Sequence, residues 1–327
     1  MKAIIQDRYG SADTLRVADV PRPVPGPGQL LVRVQAASVN ARDWHLMRGD
    51  PYLARVAAPG TLGLRRPTAR VRGTDFAGSV VEVGPGVTRF RVGDEVFGEA
   101  DAAFAEYVCA PQDRLEHRPA NLTAAQAAAL PLAANTALIA MRDAAQVRAG
   151  QRVLVNGAAG GVGLFAVQLA HSYGALVAGV CSTRNIELVR SAGASDVIDY
   201  AHHDFTRTGP YDVLLDLVGN RSLRDLRRAV TPAGTLALSG GGVFRGGSLI
   251  GPMGLMIRGT LAARFARQRI VAPNAVPSPE NLAAIRELAT AGVLTPVVDR
   301  TFPLDEAAAA IRHVETGHAR GKVVLVA

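Results

Sequence analysis

The sequence contains only two cysteines and no long apolar run, and these absences argue against several classes of protein. Cys109 and Cys181 form no CxxC pair and have no histidine at ligand spacing, which argues against a disulfide framework or a structural zinc site. Both are expected to be small buried residues in a reducing compartment. The first ten residues lack the apolar core of a secretory signal, and no apolar stretch reaches the roughly 18 residues of a membrane span. A cytoplasmic protein without a membrane partner is therefore expected.

Lysine is almost absent, although the chain is strongly basic. Lys2 and Lys322 are the only lysines, so nearly all of the 36 basic residues are arginine, and the net charge is +8. Such a charge is one mark of nucleic-acid binding. The arginines are scattered with little aromatic interleaving, however, and a bias in overall composition explains them better. We therefore expect no nucleic-acid partner, and we expect the basic surface to favour anionic ligands such as a phosphorylated cofactor.

The length of 327 residues suggests about two domains, and the character of the sequence changes near residue 122. Before that point, short aliphatic and β-branched runs are interrupted by glycine and proline, which predicts a small, irregular β-barrel-like unit. The strands predicted for this unit are Ala3–Gln6, Leu30–Ala36, Gly78–Val83 and Glu106–Cys109.

From residue 122 onward, strand and helix patterns alternate. An alanine-rich helical stretch covers Leu122–Asp143 with a break at Pro131. Predicted strands follow at 152–156, 176–181, 196–199, 212–216 and 234–239, and predicted helices at about 161–173, 184–192 and 221–229. This alternation predicts a doubly wound parallel sheet, with a last strand around 256–263. The tail predicts helices at about 278–291 and 304–316 and strands at 296–301 and 322–326.

A glycine-rich turn connects the first strand of this sheet to its first helix. The turn reads Gly157, Ala158, Ala159, Gly160, Gly161, Val162 and Gly163. Glycine permits a tight turn and lets the backbone approach a pyrophosphate, while the helix N-terminus offers free N–H donors. A purely structural turn is the alternative, but the strand before and the helix after are the context that a dinucleotide site requires. The sequence therefore predicts a dinucleotide-binding turn.

The residues after the second strand of the sheet bear on the choice of dinucleotide. An NAD site normally places Asp or Glu there, about 20 residues after the glycines, to hold the ribose 2′-hydroxyl. No acid lies between Leu176 and Asn185, and the chain instead carries Ser182, Thr183 and Arg184. Arginine pairs bidentately with phosphate, and hydroxyls donate to it. NADPH is therefore the predicted cofactor, although Ser182 and Thr183 can at the same time cap the following helix.

Seven motifs, in one order across nearly the whole chain, carry a family resemblance. They are AASVNARDWHLMRGD at 36–50, GTDFAGSVVEVGPGV at 73–87, VGDEVFG at 92–98, LPLAANTA at 130–137, VLVNGAAGGVG at 153–163, VIDY at 197–200 and ARGKVVL at 319–325. With these motifs the sequence resembles the zinc-free quinone oxidoreductase branch of the medium-chain dehydrogenase/reductase superfamily. The resemblance implies an α/β fold in which a Rossmann doubly wound parallel sheet (123–265) is inserted in a GroES-like β-barrel catalytic domain (1–122 plus 266–327). It also implies a homodimer that pairs the edge strands of the cofactor sheets.

The resemblance assigns further residues to the cofactor site. Thr136 resembles the residue beside the nicotinamide, and Tyr200 resembles a tyrosine that reaches the 2′-phosphate; the alternative for Tyr200 is a strand-end aromatic. Lys322 resembles a C-terminal residue near the active cleft, with a solvated strand-end lysine as the alternative. Four residues fall at the ends of the fourth and fifth strands, where the cofactor crevice is expected: Leu217, Val218, Ser239 and Gly240. Some relatives have a polar residue at the position of Leu217.

The zinc-dependent relatives differ from this chain at the positions of their metal ligands. The resemblance implies that those relatives carry a cysteine near the position of Asn40 and a His-Glu pair where this chain has Thr74 and Asp75. They also carry a four-cysteine lobe, which is missing from this chain. Asp43, His45 and Asp75 are of residue types that can bind metals, but together they are not a ligand set that zinc uses. No metal is therefore expected.

Without a metal to polarise the substrate, conjugated acceptors are favoured, because charge delocalises in them as hydride arrives. We predict reduction of a quinone or an α,β-unsaturated carbonyl by NADPH. Asn40 is expected to donate its amide to the ribose or the acceptor oxygen, Asp43 to orient it, and Tyr52 or His45 to relay a proton. A structural role is the alternative to each of these assignments, and solvent is the alternative source of the proton. Residues 46–70 and 243–275 are expected to line or cover the cleft.

Two other functions remain open at this point. One is an NADPH-binding protein with a structural or sensing role and little turnover, because a fold does not determine a function. The other is an RNA-binding role for the basic surface, which a salt-dependent shift with RNA would detect.

Overall fold

The computed structural model describes residues 1–57, 59–240, 247–251 and 253–327. Its strands are β1 (Lys2–Ile5), β2 (Arg16–Asp19), β3 (Gln29–Val39), β4 (Asp75–Val83), β5 (Glu95–Glu99), β6 (Tyr107–Pro111), β7 (Leu115–His117), β8 (Arg152–Asn156), β9 (Leu176–Cys181), β10 (Asp196–Asp199), β11 (Tyr211–Asp216), β12 (Val230–Leu238), β13 (Arg269–Val271), β14 (Val298–Pro303) and β15 (Lys322–Val326). Its helices are α1 (Ala41–Arg48), α2 (Tyr52–Ala57), α3 (Pro59–Leu62), α4 (Ala124–Ala128), α5 (Pro131–Leu138), α6 (Gly161–Ser172), α7 (Ile186–Ser191), α8 (Leu223–Arg228), α9 (Met253–Ala263), α10 (Pro279–Thr290) and α11 (Ala307–Glu315).

The first third of the chain and its last residues build one sheet. The strand order is β14-β15-β3-β4-β5-β7, and β6 also pairs with β3. Strand β15 runs antiparallel to β3, so the C-terminal residues complete a sheet that the N-terminal residues begin. The predicted β-rich unit is confirmed, and it also contains the short strands β2, β5 and β7 and the helices α1 to α3, which no sequence pattern indicated.

The middle of the chain forms a second sheet with the order β10-β9-β8-β11-β12-β13. Every pair in it is parallel, which confirms the predicted doubly wound sheet. Strand β8 is aliphatic on both faces, as expected where helices cover both sides of a sheet. The strand order reverses between β8 and β11, and a ligand crevice opens at such a switch point. The predicted break in the first helical stretch is also confirmed, because α5 begins at Pro131.

The prediction of a last strand around 256–263 is wrong. Those residues belong to α9, and the last strand of the parallel sheet is β13. The apolar residues that α9 turns toward the core follow a helical period: Leu255, Gly259, Ala262 and Ala263. A Cβ on Gly259 would lie 2.6 Å from Cδ1 of Leu238, so glycine lets the helix approach β12 closely. Because β13 pairs with β12, the parallel sheet extends past residue 265.

Candidate cofactor and active site

The glycine-rich turn lies between β8 and α6, at the crevice of the parallel sheet. Gly157 has a φ of +89°, a conformation that glycine adopts without strain. A Cβ on Gly163 would lie 2.1 Å from the carbonyl oxygen of Gly157 and 2.8 Å from Cα of Ala158, so only glycine allows this approach of helix and turn. Helix α6 begins at Gly161 after an extended Gly160. Its first N–H groups are therefore available to a ligand, and the turn fits a pyrophosphate.

The segment that leads into β15 docks on this turn. The N–H of Gly321 donates to the carbonyl oxygen of Ala159 at 2.8 Å, and Gly160 and Gly321 form a parallel bridge. A Cβ on Gly161 would lie 2.5 Å from Cδ of Lys322, which places the stem of the lysine directly beside the turn. The two sheets are therefore joined at the candidate site.

Lys322 carries its ammonium group into the protein, at the end of β3. The residue is 5% exposed, and Nζ donates to Oδ1 of Asn40 and, at 3.2 Å, to the carbonyl oxygen of Val39. The alternative of a solvated lysine is thereby excluded. Burial lowers the pKa of Lys322, and the negative charges of Asp75 and Asp43 oppose that shift. This ammonium group is accordingly a stronger acid than a solvated one.

Two buried carboxyl groups face this ammonium group. Burial raises the pKa of Asp43 to about 6, and it also raises the pKa of Asp75, against the attraction of Lys322. Asp75 is completely buried and accepts hydrogen bonds from the Thr74 hydroxyl at 3.3 Å and from the Leu132 N–H at 3.1 Å. The cation and the two acids form one buried network behind the turn.

Asn40 stands where β3 gives way to α1, and Asp43 fixes it there. Oδ2 of Asp43 accepts the backbone N–H of Asn40 at 2.7 Å, as in a capping box. Asp43 is 1% exposed, so the structure places it as a support for Asn40 and not as a group at the cleft surface. Oδ1 of Asn40 accepts from Lys322, while its amide Nδ2 donates to the carbonyl oxygen of Ser38 at 3.4 Å and to the carboxyl group of Asp75, so the Asn40 side chain ties the buried network together.

The two other predicted proton donors, His45 and Tyr52, lie toward the mouth of the cleft. Nδ1 of His45 donates to the carbonyl oxygen of Asp50 at 2.9 Å. Tyr52 is 46% exposed, and its backbone N–H donates to the carbonyl oxygen of Ser248 at 2.9 Å. The Arg55 guanidinium lies 4.9 Å from the centroid of the Tyr52 ring, so among the described residues Tyr52 contacts its own helix and the segment across the cleft, and it makes no hydrogen bond to the buried ammonium group.

The two segments expected to cover the cleft bind each other. Oδ1 of Asp50 accepts the N–H of Ser248 at 2.6 Å and its hydroxyl at 3.2 Å, and the Leu53 N–H donates to the carbonyl oxygen of Leu249 at 2.9 Å. These contacts join α2 of one unit to residues 247–251 of the other. Residues 58, 243–246 and 252 of the predicted cover lie outside the described residues.

The residues predicted to bind the 2′-phosphate lie together at one edge of the sheet. Ser182, Thr183 and Arg184 follow β9, and the half-exposed Tyr200 follows the neighbouring β10, so parallel pairing brings them together. Arg184 is exposed and donates to the carbonyl oxygen of His318 at 2.6 Å. Because guanidinium has several donors, this contact leaves others for an anion.

One acid at this edge, Asp199, was not among the residues predicted from the sequence. Asp199 is 6% exposed, and its Oδ2 accepts the Thr183 hydroxyl at 2.5 Å. That hydrogen bond lowers the pKa of Asp199 and engages the proton that Thr183 was expected to offer to phosphate. The signal for Asp199 was its position at the end of β10, since the ends of neighbouring parallel strands meet at one edge.

The residues expected at the ends of the fourth and fifth strands lie beside the glycine turn. A Cβ on Gly157 would lie 2.9 Å from Cγ2 of Val218, and one on Gly240 would lie 3.2 Å from the carbonyl carbon of Leu217. The N–H of Ser239 donates to the carbonyl oxygen of Asp216 at 2.9 Å. These residues therefore line the crevice. Thr136 is half-buried on α5, where its hydroxyl donates to the carbonyl oxygen of Leu132 at 2.7 Å.

In the described part of the chain, no group of three or more His, Cys, Asp or Glu side chains is placed to hold a metal ion. Both thiols are free, and Cys181 is buried as expected, whereas Cys109 on β6 is only partly buried. None of the described helices is long and apolar enough to cross a membrane.

Comparison with known proteins agrees with this architecture. Residues 26–120 match the model of the alcohol dehydrogenase GroES-like domain, and residues 192–325 match the model of the zinc-binding dehydrogenase. The chain is 32% identical to the mitochondrial NAD(P)H oxidoreductase RTN4IP1 of Bos taurus, over 99% of this chain and 89% of the relative. It is 31% identical to the quinone oxidoreductase structure from Coxiella burnetii, with a TM-score of 0.86 over 100% of this chain and 99% of that one. It belongs to the medium-chain dehydrogenase/reductase superfamily, among its quinone oxidoreductase-like members.

A further relative of this superfamily is named for a conjugated ketone. The chain is 33% identical to 2-methylene-furan-3-one reductase of Solanum lycopersicum, over 99% of this chain and 79% of the relative. The superfamily fold, with a GroES-like unit and a Rossmann-type parallel sheet, accounts for the docking of β15 on β3 and for the inserted parallel sheet.

Proposed function

We propose that this protein reduces a quinone or an α,β-unsaturated carbonyl with NADPH, and that it does so without zinc. The observation that carries the proposal is the path of Lys322. Its stem lies against the glycine turn at Gly161, and its ammonium group is bonded to Asn40 inside the cleft. A positive charge is thereby held next to the place where a dinucleotide bound to the turn must lie.

The cofactor part of the proposal has two supports. The crowding around Gly163 and the free N–H groups of α6 suit a pyrophosphate. Arg184, Ser182 and Tyr200 lie together where a 2′-phosphate would sit, and Arg184 can pair with it bidentately. The bovine relative is named for NAD(P)H, and the preference for NADPH over NADH is part of our proposal.

The chemistry divides simply between the cofactor and the chain. The bound cofactor supplies a hydride to the electrophilic carbon of the acceptor. The ammonium group of Lys322, which Asn40 holds in place, stabilises the negative charge that develops on the acceptor oxygen, and Nζ of Lys322 then gives that oxygen its proton. Asp43 and Asp75 hold this pair in position.

The zinc-free part of the proposal follows from what occupies the ligand positions. Asn40 and Thr74 are neither thiolate nor imidazole, and Asn40 is already bonded to a cation. A buried ammonium group supplies positive charge without a metal, and it suffices for a conjugated acceptor because charge delocalises there. The tomato relative is named for such an acceptor, and the Coxiella structure for a quinone.

The proposal retains three further expectations. The chain divides into a catalytic unit, expected at residues 1–122 plus 266–327, and a cofactor unit, expected at 123–265, with the second boundary moved past β13 because that strand pairs with β12. Two copies of the chain pair through the edge strands of their cofactor sheets. The protein works in the cytoplasm, although the bovine relative is mitochondrial.

Steady-state oxidation of NADPH against a panel of quinones and enones tests the function. We expect turnover with at least one conjugated acceptor and a lower KM for NADPH than for NADH. Tight binding of NADPH without turnover on any acceptor would contradict the enzyme and support a sensing or structural role.

A further inference from the structure

A cavity of about 180 Å³, called the rear cavity below, lies between α5, α10 and the end of β5. Its volume is that of about six water molecules in the liquid, at roughly 30 Å³ each. Its walls are polar and apolar in about equal measure, and they include one acid from β5: Pro131, Pro279, Leu282, Asn135, Arg114 and Glu99. None of the residues assigned to the cofactor lines it.

Glu99 is the acid that faces this cavity. The residue is 7% exposed, and no hydrogen bond or ion pair to its carboxyl group is found among the described residues. Burial and the neighbouring Asp75 raise the pKa of Glu99 to about 8, while Arg42 and Arg114 act in the opposite direction. Asp113, which is exposed, is the other acid lining the cavity. The raised pKa favours the protonated form of Glu99 at neutral pH, and its carboxyl group lines the cavity.

Asp75 lies directly opposite Glu99 in the sheet. The two residues are cross-strand partners in the β4–β5 register, so their side chains share one face and their Cβ atoms are about 5 Å apart. Asp75 in turn lies next to the Asn40 amide and is attracted by the charge of Lys322, both of which lower its pKa. Glu99, Asp75 and Lys322 therefore form a row of ionisable groups that leads from the cavity to the cleft.

We propose that Glu99 and Asp75 form a proton relay that supplies Lys322 from the rear cavity. The relay rests on the proposed function and names the source of its proton. In each turnover two electrons reach the acceptor carbon as hydride, and one proton passes from Nζ of Lys322 to the acceptor oxygen. Glu99 then protonates the Asp75 carboxylate, Asp75 passes that proton on to the neutral amine, and Glu99 recovers a proton from solvent through the cavity.

The relay gives the buried ammonium group a route to solvent that does not pass through the front of the cleft. The ammonium group is buried, and a bound cofactor and acceptor would close the front of the site to water. A second entrance lets Lys322 recover its proton while the front stays occupied. Glu99 acts through Asp75 and does not touch the reacting atoms, so it is a positioning residue for the proton.

The test compares Glu99→Gln, which keeps the shape but carries no exchangeable acid proton, with Glu99→Asp and with Glu82→Gln, an exposed acid on β4. For Glu99→Gln we expect an unchanged rate of NADPH oxidation in a single turnover, a steady-state kcat at least about tenfold lower, and a larger solvent deuterium isotope effect on kcat. Glu99→Asp should restore most of the rate, and Glu82→Gln should match the wild type. An unchanged kcat and isotope effect in Glu99→Gln would overturn the relay.

A second readout does not depend on turnover. Infrared spectra of the cofactor-free wild type should show a protonated carboxyl band at pH 7 that titrates near pH 8 and is missing in Glu99→Gln. If the wild type oxidises no NADPH with any acceptor, the proposed function has failed, and this titration still decides whether Glu99 holds a proton. Absence of the band from the wild type at pH 7 would overturn the relay by itself.

Discussion

The ammonium group of Lys322 donates a hydrogen bond to the side-chain oxygen of Asn40, and this contact joins the last strand of the chain to the end of β3. The two residues are far apart in the sequence, and each is held in place by its own support. Gly321 ties the lysine segment to the glycine turn through Ala159, and Asp43 caps the helix that Asn40 begins. The pair therefore has the rigidity that electrostatic stabilisation of a transition state requires.

The charge of Lys322 can be tested directly, because the chain offers a matched control. Lys322→Met keeps the length of the side chain but removes the charge, and we expect kcat for NADPH-dependent reduction to fall about 100-fold, as on loss of one oxyanion-stabilising donor. Lys2→Met alters the only other lysine, which is exposed on β1, and should leave kcat within about twofold. Equal kinetics of Lys322→Met and the wild type would contradict the role of the ammonium group.

Arg184 should determine the preference between the two nicotinamide cofactors. Arg184→Ala removes the guanidinium group proposed for the 2′-phosphate, and KM for NADPH should rise about 10- to 100-fold because hydrogen bonds between charged groups contribute about 1.5–3 kcal/mol. KM for NADH should change little. The control is Arg190→Ala, an exposed arginine that pairs with Glu187 on α7. A parallel loss of affinity for NADPH and NADH would assign Arg184 a structural role instead.

Two glycines of the turn should differ sharply in their tolerance of a methyl group. In Gly163→Ala the new Cβ would meet backbone atoms that cannot move aside, with 2.1 Å to the Gly157 oxygen, and we expect a loss of about 2–3 kcal/mol in the free energy of unfolding. In Gly160→Ala the nearest atom is 3.5 Å away, so the change should stay within about 0.5 kcal/mol. Urea unfolding of both variants measures the difference, and similar losses would contradict the close packing of α6 on the turn.

Glu99 should make the free energy of unfolding depend on pH. Its pKa is about 8 in the folded protein and has a reference value of 4.5, so between these values the folded state holds a proton that the unfolded state has lost. The stabilising effect is complete below about pH 4.5 and disappears as pH rises through about 8. At about 1.4 kcal/mol per pKa unit, it amounts to a few kcal/mol. Urea titrations from pH 5 to 8.5 should show a smaller decline with pH for Glu99→Gln than for the wild type; equal slopes would contradict the raised pKa.

The sequence predicted the elements with a strong local pattern. The glycine turn, the alternation of strands and helices after residue 122 and the break at Pro131 are all local signals, and the structure confirms them. The segment 256–263 has apolar residues that suit a strand or a helix, and only its packing against β12 decides for α9. Local propensity is a weak guide where tertiary contacts decide.

The buried network could not be predicted from the sequence. Lys322, Asp75 and Glu99 are separated along the chain, and their environments arise only when β15 docks on β3 and β4 pairs with β5. A lysine at a strand end is normally solvated, so its burial had no local signal, and only the family resemblance placed Lys322 near the active cleft. Asp199 is different, because its place at the end of a predicted strand next to β9 was visible in the sequence.

The most direct test of the account is the rate of acceptor reduction by protein freed of metal. The protein is dialysed against a strong chelator, its metal content is measured, and NADPH oxidation is followed with the best quinone or enone before and after treatment. If the Lys322–Asn40 pair supplies the positive charge, kcat should be unchanged at a metal content far below one ion per chain. Loss of activity on chelation, with recovery on adding zinc, would contradict the account.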